Sequence, residues 1–90
     1  MTLAEAACAR RIQSLQTRLA AARELSARSF ENERYFDWTA GHAPTAIERV
    51  HAGELAAEWL RRAARDQQTA LELEVELKAE ENTLRDYADK

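Results

Sequence analysis

Both glycines and the single proline of this 90-residue chain fall between positions 41 and 53, in "GHAPTAIERVHAG". On either side, nothing compels the backbone to leave a helix. The flanking stretches are rich in Ala, Leu, Glu, Arg and Gln, the residues of highest helix propensity. One break between two long unpunctuated stretches predicts an all-α fold, an antiparallel two-helix hairpin resembling a coiled coil. The expected limits are a helix over 3–40, a turn over 41–44 and a helix over 45–88, forming a single domain.

Two start signals agree with those limits. "TLAE" at Thr2 and "TAIE" at Thr45 each place a threonine three residues before a glutamate, the pattern of a capping box. At the other end of the first helix, Gly41 can supply a left-handed cap, and Pro44 prevents continuation. Gly53 leaves room for a bend in the second helix.

The stretch "LELEVELK" (Leu71 to Lys78) alternates apolar and charged residues as a half-buried strand would. Its flanks lack turn residues, and Leu, Glu and Lys are helix formers rather than strand formers. It is therefore read as helix, and that has a consequence. On a helix, Leu73 and Leu77 share one face with Ala52, Ala56, Trp59, Ala63 and Ala70, while Leu71 and Val75 point almost oppositely. Leu60 and Ala64 extend this second face. The first helix offers only one seam, Cys8, Ile12, Leu15, Leu19, Ala22, Ser26, Ser29, Glu33 and Phe36, at spacings of four and three.

A helix apolar on two sides packs from two sides. Ordering a chain costs about 1.5 kcal/mol per residue, and one hairpin seam offsets little of it. The expectation is a homodimer, an elongated four-helix bundle joined through Leu60, Ala64, Leu71 and Val75. Charge supports the hairpin orientation, because Arg10, Arg11, Arg18, Arg23 and Arg28 lie in the first helix, while beyond Leu71 acids outnumber bases.

Composition also excludes some roles. Charged residues are 32% of the chain but nearly cancel, to a net −3, so no field draws it to nucleic acid. No run approaches the ~18 apolar residues of a membrane span. The single cysteine, Cys8, permits no internal disulfide and fits a reducing compartment, so a cytoplasmic location is expected. No nucleophile–histidine–acid order, phosphate-binding glycine loop or paired-cysteine motif occurs, so enzymatic activity is not expected.

The functional expectation is a protein–protein interaction module, an adaptor, inhibitor or assembly factor with an unidentified protein partner. Aromatic residues gather at the turn end, and Tyr35, Phe36 and Trp38 are the candidate partner-binding residues, since aromatics and arginine dominate interface hot spots. Trp38 is expected to be more accessible than Trp59. Arg61, Arg62 and Arg65 in "WLRRAAR" are a second candidate patch. No cofactor is expected under this reading.

The alternative is a ferritin-like di-iron bundle. "ERVH" puts Glu48 and His51 one turn apart on one helix face, as carboxylate-bridged di-metal bundles require. A turn centred near residue 42 would bring Glu33 opposite His51, and a dimer would double the set. "EWLRR" (Glu58 to Arg62) with "DW" (Asp37, Trp38) resembles the two-helix ferritins packaged inside encapsulin shells. Aligned without a gap, Glu48 and His51 fall one residue from that family's ligand positions, and Asn32 occupies the first-helix one. The resemblance implies shape.

Overall fold

A computed structural model describes residues 1–89. It contains two helices, α1 (Leu3–His42) and α2 (Ala46–Ala88), which fold back on each other as a hairpin. The molecule is a rod of 67 × 14 × 12 Å. No described helix is long and apolar enough to cross a membrane.

The threonine half of each expected capping box forms. The Thr2 and Thr45 hydroxyls accept from the amides of Glu5 (3.1 Å) and Glu48 (3.2 Å), each satisfying one of the free N–H groups of a helix start. Leu71 to Lys78 is helical throughout, so its alternation is a surface pattern on α2.

The end of α1 departs from expectation. No glycine has a positive φ, so Gly41 supplies no left-handed cap and the helix runs on to His42. Pro44 sets the boundary instead. It forces Ala43 into the extended region, φ −61° and ψ 145°, where the helix cannot continue. The last carbonyls are then satisfied by other means. The Ala43 amide donates to the Thr39 carbonyl (2.8 Å), and Arg49 Nη1 reaches back to the Ala43 carbonyl (2.8 Å). Gly53 introduces no break, and α2 is continuous through it. A Cβ placed on Gly53 would stand 3.9 Å from that of Ala40, so the two helices run close beside the turn.

The seam is thin. Its buried apolar residues are Cys8, Leu15, Leu19, Ala22, Ala52, Ala56, Ala63, Ala70 and Leu73, most of them alanine. Leu15, Leu19 and Leu73, with Ala22, Ala70 and Leu77, form the one cluster of larger side chains, and it lies toward the open end. The middle is held differently. Ser26 and Ser29 are buried, and their hydroxyls donate to the Ala63 carbonyl (3.5 Å) and to Asp66 Oδ2 (3.3 Å). Basic and acidic helices lie side by side as their sequences suggest, with Arg11 paired to Glu80 and Arg23 to Glu74.

Candidate docking surfaces

Two surfaces remain uncovered on the rod. The first is the outer side of α2. Leu60, Leu71 and Val75 are exposed to 49, 50 and 70% respectively, and Ala64 is exposed between them. The surface continues onto α1 through a cavity of about 250 Å³ that includes Phe30, Ser26, Ala70 and Leu71, with Arg23 and Glu74 at its rim. All four residues expected at a dimer interface are thus outside the hairpin's own seam.

The second surface is the turn end. Pro44 turns the chain sharply, and the last turn of α1 then faces the first two turns of α2. Between them opens a cavity of about 410 Å³ lined by Tyr35, Phe36, Trp38, His42, Glu48 and His51. Ala52 and Leu55 add apolar wall to it. Tyr35 and Trp38 are exposed, Trp38 to 61%, whereas Phe36 is half-buried. The Phe36 ring meets Tyr35 edge to face, with centroids 5.1 Å apart.

His42 is fixed in this wall. Its ring stacks on the Trp38 indole, 4.3 Å between centroids and 7° from parallel. Its Nδ1 lies 2.8 Å from the Trp38 carbonyl oxygen. A carbonyl only accepts, so Nδ1–H is the donor of this bond; in the neutral imidazole that leaves Nε2 as the acceptor. The imidazole therefore caps α1 and braces Trp38 at the same time.

The arginine patch does not join this cavity. Arg61, Arg62 and Arg65 are exposed further along α2. Arg62 is held by Glu58 (2.8 Å) and lies over the Trp59 ring, its Cζ 4.6 Å from the centroid. That contact helps keep Trp59 partly covered, in contrast with Trp38.

The expected metal ligands are not brought together within one chain. Glu48 and His51 line the turn cavity, but Glu33 does not. The reason is register. The hairpin's midpoint lies near residues 46–47 rather than near 42, with Ala40 beside Gly53 and Ser29 bonded to Asp66. Glu33 lies between those two contacts and is level with the 58–62 region of α2, well removed from His51. Among the described residues, no three His, Cys, Asp or Glu side chains come close enough to hold a metal ion.

Some contributors had no clear sequence signal. Arg49 acts through a single bond to a carbonyl six residues back, a spacing with no helical periodicity. Leu55, which joins the cavity wall, lies outside the apolar stripes read from the sequence. Near the open end, Cys8 is fully buried, and its thiol donates to Glu80 Oε2 (3.2 Å) while Arg11 Nε donates to Oε1 (3.2 Å). Burial, then the adjacent Glu80 carboxylate, pushes the Cys8 thiol up, so the thiolate is disfavoured. Arg11, and next the thiol, hold Glu80 below the usual carboxylate range.

No protein-family model, curated protein or solved structure matches the chain.

Proposed function

We propose that the chain is a non-enzymatic interaction module that works as a homodimer of hairpins and offers its aromatic turn end to a protein partner. The observation that carries this reading is the uncovered apolar surface of Leu60, Ala64, Leu71 and Val75 on a rod whose own seam is mostly alanine. Burial stabilises by about 25 cal/mol per Å² of apolar surface, so a seam of small residues contributes little, and a second copy supplies what it lacks.

The distribution of charge supports a defined docking face. The positions of α2 flanking the seam on one side are Leu60, Gln67 and Glu74, with Ala64 and Leu71 beyond them. On the other side stand Arg62, Thr69 and Glu76, with Glu58, Arg65 and Glu72 beyond. Only the first flank can be covered without desolvating many charges.

Sedimentation equilibrium at micromolar concentration tests the dimer. A mass of two chains is expected, and a folded monomer would overturn the reading. Leu71→Glu places a charge on the docking face and is expected to give monomer or unfolded chain. Partner binding is tested separately, by capture on immobilised protein. Trp38→Ala is expected to lose the captured partner while keeping the dimeric mass.

A further inference from the structure

Resting on the reading of the turn end as a docking site, we infer that its cavity receives an arginine side chain of the partner protein. The groups that line the cavity select for such a guest. Aromatic walls are provided by Tyr35, Phe36 and Trp38, and the indole is already braced in a flat stack by His42. Beside the Tyr35 hydroxyl, the Trp38 indole N–H and His51, which can donate, the cavity holds one group that only accepts, Glu48. Glu48 contributes a carboxylate with no hydrogen-bond partner among the described residues; only its backbone amide is engaged, by Thr45. His42 Nδ1–H donates a hydrogen bond to the Trp38 carbonyl, which in the neutral ring leaves Nε2 as an acceptor. The Thr39 hydroxyl is occupied in donating to the Tyr35 carbonyl (2.9 Å).

Among the described residues, no arginine or lysine lines the cavity. Arg49, the nearest in sequence, is turned to the Ala43 carbonyl. An aromatic box with a free carboxylate and a free imidazole nitrogen therefore lacks a donor-rich, positively charged guest on an apolar stem. A guanidinium meets each condition. It is planar, stacks on aromatic faces, and is less strongly hydrated than an ammonium. Its five N–H groups can serve Glu48 and His42 at once. Ile47 and Val50, exposed on the next face of α2, offer apolar contact to residues flanking that arginine.

The test is an NMR titration of the labelled full chain with N-acetyl-arginine amide, and separately with the lysine and norleucine counterparts. Saturable shifts of the Trp38 indole and the Thr39 and His42 amides are expected for the arginine probe, with weaker binding of the other two. Glu48→Gln, which keeps the capping amide, is expected to weaken the arginine probe about tenfold or more without altering the rest of the spectrum. Equal binding of norleucine would make the cavity an apolar hole and overturn the inference. Equal binding of lysine would overturn the selection for a guanidinium. Absence of saturable shifts from all three would overturn it as well. If turn-end signals instead move with protein concentration alone, the guest is a second copy of the chain and the inference also fails. In each of these cases, partner capture by wild type and Trp38→Ala decides independently whether the turn end docks a protein.

Discussion

Cys8, Glu80 and Arg11 show how single side chains lock the open end of the rod. A buried thiol packed against a carboxylate resists ionisation, and the same carboxylate is kept charged by the guanidinium on its other side. The two pH dependences have opposite signs. Glu80 ionises more readily folded than unfolded, so its contribution is present above the ordinary glutamate range, near 4.3, and is lost as pH falls through that range and below. Cys8 holds its proton to higher pH when folded, so its contribution is present below the ordinary thiol range, near 8.5, and is lost as pH rises beyond it. Melting temperature against pH should fall on both sides, and Glu80→Gln should flatten the acid limb. Thiol-directed reagents should label Cys8 only as fast as the hairpin opens. Gly53 makes a second residue-scale case. It is helical and its added Cβ would meet only ordinary contact, so Gly53→Ala should stabilise by about 0.5–1 kcal/mol in thermal unfolding.

At the scale of the helices, closeness of approach is set by the smallest residues. Ala63 is fully buried opposite Ser26, and a larger side chain there would push α1 and α2 apart. Ala63→Leu should destabilise by about 1–3 kcal/mol, read from urea unfolding, although it adds apolar surface. Elements were the most legible feature of the sequence. Two threonine caps, one proline and a long absence of glycine are local signals, and each acts on its own few residues. The C-terminal end of α1 was less legible because Gly41 and Pro44 both predict an ending, and only packing and the Arg49 bridge show that proline prevails. The candidate site depends instead on the register of the hairpin, whose midpoint lies near residues 46–47 rather than near 42. That shift moves Glu33 away from His51, while leaving Tyr35, Phe36 and Trp38 at the turn end, since positions beside a turn are insensitive to register. Glu80 as the partner of Cys8 was not legible, because pairing across the hairpin depends on the register of the whole seam.

For the whole molecule, the question is how a rod this slender holds its shape. If dimerisation contributes the missing core, stability becomes a function of concentration, and the melting temperature should rise with protein concentration from micromolar upward. The two tryptophans should report different surroundings in the assembled protein. Acrylamide should quench a Trp38-only variant more strongly than a Trp59-only variant, and the reverse order would place Trp38 inside an interface. The leucine cluster of Leu15, Leu19 and Leu73 lies past the serine and alanine layers as counted from the turn. This placement governs how the hairpin forms in time. Zipping from Ala40 and Gly53 passes the partly buried Phe36 and Trp59 and then small layers that stabilise little, while every added layer lengthens the ordered segment. The leucine cluster is reached only when residues about fifty positions apart have met, the separation of the neighbouring pair Arg23–Glu74 being 51. A half-closed hairpin thus bears most of the entropy loss before it gains the leucines, so it lies high in free energy and is hardly populated. Opening should therefore be all-or-none, with helix content and tryptophan fluorescence lost along one coincident curve.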